Sequence, residues 1–188
     1  MNLVELTTTR LRLEALDERD VDDVTAYCSD PLVQRSTTVP SPYTRADAEC
    51  FIREVVPAGW RDGTEETWAL RLLSDPEQRL LGVLGARSAL GDVGYWLGAP
   101  HRGHGYLGEA LSAVVDHRFA EGQEAVRWEC FLGNVASARV AMRCGFRFDG
   151  ERPGRVPDRN GEVQPSWHGV LLRDDDRTAK PGWPGPVL

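Results

Sequence analysis

The stretch Val93-Gly-Tyr-Trp-Leu97, then Gly-Ala-Pro, then His101-Arg-Gly-His-Gly-Tyr-Leu-Gly-Glu-Ala-Leu111 constrains this chain more than any other. A short apolar run of β-formers leads into a glycine-rich turn. An amphipathic pattern follows, with Leu107, Ala110, Leu111, Val114 and Val115 on one helical stripe. The order is strand, loop, helix. Gly103, Gly105 and Gly108 let the backbone approach something bulky, and Arg102 adds a fixed positive charge beside them. The free N–H groups at the helix start form an anion site suited to phosphate. A tight turn with glycines placed for positive φ accounts for the same residues, so the loop alone does not decide.

Two familiar phosphate loops can be compared with it. A nucleotide P-loop needs a Gly-Lys-Ser/Thr end, which is missing here. The dinucleotide fingerprint needs Gly-x-Gly-x-x-Gly in an early βαβ unit. Gly103, Gly105 and Gly108 fit that spacing but sit mid-chain, after a long run of other elements. The stretch most resembles the acyl-CoA pyrophosphate loop of the GNAT N-acyltransferases, Arg/Gln-x-x-Gly-x-Gly/Ala. It reads Arg102-Gly-His-Gly105-Tyr-Leu107, departing from the pattern at Leu107.

The 188 residues suffice for one domain with a real core, expected over 1–173, with 174–188, charged then rich in Pro and Gly, as a disordered tail. No run of eighteen apolar residues is present, so no membrane span is expected. The beginning, Met1-Asn-Leu-Val-Glu5, lacks a basic region and a signal-like apolar core, which points to the cytoplasm. A net charge of −7 without a basic stripe argues against nucleic acid and is compatible with an amine acceptor. Cys28, Cys50, Cys130 and Cys144 form no Cys-x-x-Cys pair and no cluster with histidine, so no metal is expected and the thiols read as reduced.

Thr9 to Ala15 alternates as a half-exposed strand with Leu11 and Leu13 inward. An acidic first turn at Asp17–Asp20 opens a helix to about Ser29, ended by Asp30-Pro31. Thr44 reads as an N-cap with Asp47 completing an imperfect capping box. The helix after it turns Ala48, Phe51, Ile52 and Val55 inward and stops at Pro57. Strands are expected at Thr67–Leu73 and Arg79–Ala89. A hairpin turn at Gly91-Asp92 then makes Val93–Leu97 antiparallel to the second of these. The helix after the glycine loop runs to about Ala120, where Gly122 ends it. Val126–Leu132 should then lie parallel to Val93–Leu97 through a crossover. Asn134 is a further N-cap, with Val140 and Ala141 facing the core and Gly145 as C-cap. Two last strands, Phe146–Arg152 and Trp167–Leu172, flank a polar loop over 153–165.

The run Asn134-Val-Ala-Ser137, with Val140 and Gly145-Phe146, also matches the GNAT family and especially its RimJ/RimL-type branch, as do the opening Thr-x-Arg-Leu-x-Leu and the Asp-Pro…Pro-Tyr-Thr segment. The resemblance runs from about Thr8 to Leu172. It implies an α/β (α+β) fold: a mixed, mostly antiparallel sheet of about seven strands with flanking helices and a splayed parallel pair, Val93–Leu97 and Val126–Leu132. It also implies an acyl-CoA as co-substrate, acetyl-CoA first, with a primary amine as acceptor, and it leaves a homodimer open. Pantetheine would lie in the splay and bond the backbone at Trp96 and Leu97. The pyrophosphate would meet Arg102 and the loop Gly103, His104, Gly105, Tyr106 and Leu107. Asn134 would bond the pantetheine amide, and Ser137 would stand near the sulfur to protonate the leaving thiolate. Arg143 either reaches the ribose phosphate or only complements its helix dipole.

The implied reaction is direct attack by a neutral amine on the thioester. Glu129, Asp92, His168 and Glu162 are candidates for removing its proton, and none stands out. Cys130 reads as a buried strand thiol and not a nucleophile. The alternative is a catalytically silent acyl-CoA-binding module on the same scaffold. The sequence fixes neither the acyl group nor the amine.

Overall fold

A computed structural model describes residues 3–187. Eight strands form one sheet in the order β1-β2-β3-β4-β5-β6-β8-β7. They are β1 (Leu6–Thr7), β2 (Leu11–Glu14), β3 (Glu65–Leu72), β4 (Gly82–Arg87), β5 (Asp92–Leu97), β6 (Ala125–Phe131), β7 (Arg147–Pro153) and β8 (Pro165–Leu172). The eighth strand beyond the expected seven is the two-residue edge β1, too short to show alternation. Among the described residues β5 and β6 are the only parallel pair, and a crossover through a helix makes them so.

The helices are α1 (Val21–Cys28), α2 (Pro31–Ser36), α3 (Arg45–Cys50), α4 (Val56–Asp62), α5 (Tyr106–Ala120) and α6 (Val135–Arg143). Cross-strand partners share a sheet face. One face carries Glu66, Trp68, Leu84, Ala86, Val93, Tyr95 and Trp128. α5 and α6 cover it, through the Arg118–Glu66 ion pair and the bonds from Tyr95 and Trp128 to Ser137. The other face carries Glu65, Thr67, Arg71, Val83, Gly85, Gly94 and Trp96. There the fully buried Arg71 grips Asp20, at the start of α1, with two 2.8 Å bonds. Arg71 also donates to the Gln78 carbonyl at 2.9 Å, so every strong donor in this buried pair has an acceptor.

The structure corrects several expectations. Asp30-Pro31 ends α1 but also opens α2: the Asp30 carboxylate accepts from the Leu32 N–H, and Pro31 sits at the first helical position, where its missing N–H is harmless. Pro57 does not stop its helix. Residues Phe51–Val55 form a π-helical segment between α3 and α4, and the widened turn admits a proline without an N–H. The same widening rotates Val55 outward, 54% exposed. The Thr44–Asp47 capping box is formed in both directions. Asp92 lies in β5 and not in the turn.

Asp174 to Leu188 was expected to be disordered. Over the described part Trp183 is 3% and Val187 1% exposed, and Arg139 of α6 donates to the Val187 and Pro186 carbonyls at 3.2 and 3.0 Å. Trp183 lies 5.7 Å from the Trp128 ring and 5.5 Å from Phe148. Trp183→Ala is expected to cost about 3 kcal/mol of stability, the low end for a buried tryptophan, because its indole N–H has no acceptor to lose. Urea unfolding reads this directly, and an unchanged midpoint would mean that the segment does not dock.

Candidate active site

β5 and β6 pair only at Asp92–Arg127 and Val93–Trp128, then diverge. Beyond that point the facing backbone edges open onto a cleft of about 710 Å³. Trp96, Leu97, Arg102, Gly103, Gly105, Tyr106, Leu107, Asn134, Ser137 and Arg143 all line it, so most of the residues selected from the sequence come together. His104 does not line it; its exposed ring stacks on Tyr106 at 5.4 Å.

The glycine loop has the geometry that the sequence demands. Gly103 and Gly105 hold φ of +83° and +80°, where a side chain is strained. Gly105 is the N-cap of α5, and no side chain caps that terminus among the described residues. The first amides of a 15-residue helix therefore face the cleft mouth without an acceptor from a cap. Arg10, which the sequence did not single out, braces the loop. It donates to the His104 carbonyl at 3.1 Å, pairs with Glu109 at 2.7 Å and covers the Tyr106 ring at 4.9 Å.

Arg102 is turned back toward the sheet. Its Nε and Nη2 donate to the Leu97 carbonyl at 3.2 and 3.1 Å, and Nη1 faces Asp30 at 3.3 Å. A guanidinium held this way shapes the end of β5. Arg102→Ala is therefore expected to weaken binding of CoA and of a phosphate-free pantetheine to a similar degree, by roughly 1–3 kcal/mol. Calorimetry with both ligands checks this, and a loss confined to CoA would give the charge to the phosphates. Arg143 is exposed beside the cleft and has no ion pair among the described residues.

Ser137 sits in a fixed network. Its Oγ accepts from Trp128 Nε1 at 3.1 Å and donates to the Tyr95 hydroxyl at 3.2 Å, while that hydroxyl donates to the Ser137 carbonyl at 3.0 Å. Burial pushes the Tyr95 phenol well above its ordinary range, so the phenol stays protonated. Asn134 caps α6 through Oδ1, which accepts the Ser137 N–H at 3.2 Å; its amide nitrogen has no such task. The Cys130 thiol is driven up, first by burial and then by the nearby Glu129 charge, and it donates to the Asn134 carbonyl at 3.7 Å. A thiol so placed is a poor nucleophile.

The acid–base candidates separate clearly. Asp92 is 1% exposed and held by Arg87 through two 2.8 Å bonds. Glu162 is exposed on the 154–164 loop and does not line the cleft. His168 is buried behind Glu129, at 3.6 Å, and desolvation lowers its pKa. Glu129 lines the cleft, but its Oε2 accepts both the backbone N–H and Nε of Arg155 at 3.0 Å. Its partner is thus Arg155. The remaining carboxylate on the cleft wall is Glu65 of β3, missed because the strand was expected to begin only at Thr67.

Comparisons with known proteins agree with this geometry. A family profile described as the acetyltransferase (GNAT) domain matches residues 10–147. The chain is 33% identical over 81 residues to the ribosomal-protein-serine acetyltransferase of Escherichia coli K12; the match takes in 39% of this chain and 45% of that protein, so it spans about half the length of this relative. RimL, a ribosomal L7/L12 α-N-protein acetyltransferase solved with coenzyme A, superposes with a TM-score of 0.75 at 22% identity, over 92% of this chain and 100% of that one. Mycobacterium smegmatis RimJ, solved with CoA-disulfide, superposes at 0.73 with 17% identity, over 92% and 87% of the two chains. At such identities the two structures speak for the fold.

Proposed function

The chain belongs to the GNAT acetyltransferase family, and from that premise we propose that it moves an acetyl group from acetyl-CoA to a primary amine by direct attack. The observation that carries this is the coincidence, in one cleft, of an uncapped α5 N-terminus and unpaired backbone edges where β5 leaves β6. The first suits a pyrophosphate. The second suits an extended pantetheine arm, which would satisfy backbone groups in the way a missing strand would. RimL, a ribosomal L7/L12 α-N-protein acetyltransferase, was solved in complex with coenzyme A.

On this reading the donor lies along β5, held by the amides from Gly103 to Leu107, the side-chain amide of Asn134 and the β6-facing backbone at Tyr95 and Leu97. The backbone of Trp96, expected from the sequence to do this, faces β4 and pairs with Val83. Leu107, where the family prefers Gly or Ala, adds an apolar wall. Ser137 stands on the α6 side of the gap, with its hydroxyl oriented by Trp128 and Tyr95. When the C–S bond breaks, that hydroxyl turns its one proton from Tyr95 to the thiolate. The amine arrives on the opposite sheet face, between α2, the 36–39 loop and Val156.

Thiol release from acetyl-CoA, measured across primary amines and N-terminal peptides, tests the proposal. It requires release that depends on both enzyme and amine. CoA binding with no release for any amine would identify the silent binding module instead.

A further inference from the structure

We propose that Glu65 receives the acceptor, taking up its ammonium group and removing a proton before attack, and that the acceptor is a primary amine carrying an apolar substituent. The proposal rests on the acetyl-transfer reading above. Among the described residues Glu65 and Glu129 are the two carboxylates that line the cleft, and Arg155 already neutralises Glu129. Among the described residues Glu65 has no ion pair; its hydrogen-bond partner is Thr67.

The placement of Glu65 follows from two glycines. Thr67 stands opposite Gly85 and Gly85 opposite Gly94, so β4 and β5 carry no side chains at this level of the sheet face. The Glu65 carboxylate folds into the notch: a Cβ built on Gly85 would collide with its Oε1. A Cβ at Gly94 would meet nothing within 4 Å, so the space above it is open. Gly94 follows Val93, the last β5 residue paired with β6. Adjacent strands lie about 4.8 Å apart, which sets the carboxylate one strand from the point where the gap opens.

Chemistry at this point is constrained. An amine that is to attack a thioester must be neutral, while a lysine-like amine is an ammonium ion at neutral pH. An unpaired carboxylate in a partly buried cleft attracts that ammonium. Burial raises the Glu65 pKa, with Asp92 adding to the rise and Arg87 and Thr67 opposing it. A carboxylate raised in this way is a better proton acceptor near neutrality. Val33, Val39, Phe51 and Val156 also line the cleft and offer the acceptor substituent apolar contacts, beside the hydroxyls of Ser36, Thr37 and Thr38.

The step balances. Glu65 takes one proton from R–NH3+ and later gives it to solvent. The amine lone pair then forms the N–C bond, the C–S bond breaks, and the second proton lost from nitrogen replaces the one that Ser137 gives to the thiolate.

Glu65→Gln tests the assignment, because it keeps size and hydrogen bonding but accepts no proton. Wild-type and variant protein are assayed with isoamylamine and leucine amide, against ethanolamine and aspartate, with CoA affinity measured in parallel. The variant should bind CoA as the wild type does and lose about 10²-fold or more in kcat/KM. The wild-type kcat/KM should fall as pH drops through a carboxylate that titrates above its usual range, and the variant should lack that limb. Isoamylamine and leucine amide should exceed aspartate by at least tenfold. As a second variant, Gly85→Ala keeps the carboxylate but pushes it out of the notch, and should raise KM for the amine at unchanged CoA affinity. Wild-type kcat/KM retained in Glu65→Gln would overturn the role of Glu65, and a preference for aspartate would overturn the acceptor class. Wild-type protein that acetylates no amine would overturn the parent reading, and this one with it.

Discussion

Ser137→Ala is expected to lower kcat by about 10²–10⁴, the range of a lost general acid, while acetyl-CoA affinity stays near the wild-type value. The hydroxyl acts when charge develops on sulfur, and an interaction present only then changes kcat and leaves ground-state binding alone. A stability loss will accompany it. Ser137 Oγ accepts the Trp128 indole N–H, and alanine leaves that donor without its acceptor, at a cost of about 1–3 kcal/mol. The two effects can be separated. Trp128→Phe removes the same hydrogen bond from the other side and leaves the serine hydroxyl in place. The Tyr95 bond still orients that hydroxyl, so the variant should lower the melting temperature with a much smaller fall in kcat of the folded fraction than Ser137→Ala. Equal falls in both variants would make Ser137 a structural partner of Trp128 and nothing more. The Ser137 hydroxyl does not cap its helix: the cap is Asn134, and Ser137 Oγ accepts the Trp128 indole N–H.

Gly105→Val is expected to abolish detectable acyl-CoA binding in a protein that still folds. At φ of +80° a β-branched residue is a genuine outlier. The chain would have to leave that conformation or hold it at a cost of about 1–3 kcal/mol. Either outcome moves the first amides of α5 or puts a branched side chain where the pyrophosphate must approach. The loop is exposed, and the buried residues of α5 start at Ala110, so the core should survive. Space on the protein side is not the limit: a Cβ would lie 3.6 Å from Arg10, an ordinary contact. Calorimetry with CoA, beside a thermal melt, decides the matter. Wild-type affinity in a folded Gly105→Val protein would contradict the donor site.

The proposed donor half of the cleft was legible in the sequence because its chemistry is local. Glycines at positive φ, a helix start and the pair Asn134 and Ser137 all declare themselves within a few residues. The acceptor half was not, because its parts come from distant strands. Glu65 becomes a candidate only when Gly85 and Gly94 are seen side by side, a register that no local pattern encodes. Tyr95 read as a β-former, and its bond to Ser137 spans 42 positions. Proline misled twice in the same way. It reads as a terminator at Asp30-Pro31 and at Pro57, although it is tolerated in a first helical turn and beside a widened one. The segment after Arg173 has the composition of a tail, yet Trp183 finds the Trp128 and Phe148 rings, a tertiary contact that outweighs local composition.

The central claim is direct transfer across this cleft, from thioester to amine with no acyl-protein intermediate. A single-turnover reaction with enzyme in excess over acetyl-CoA, followed by mass spectrometry of both protein and amine, tests it most directly. The account predicts that the amine gains its acetyl group at the rate at which CoA thiol appears, while the protein mass never changes. Acetyl-CoA that stays bound and intact beside every amine, or an acetyl group found on the protein at Cys130 before the amine acquires it, would contradict it.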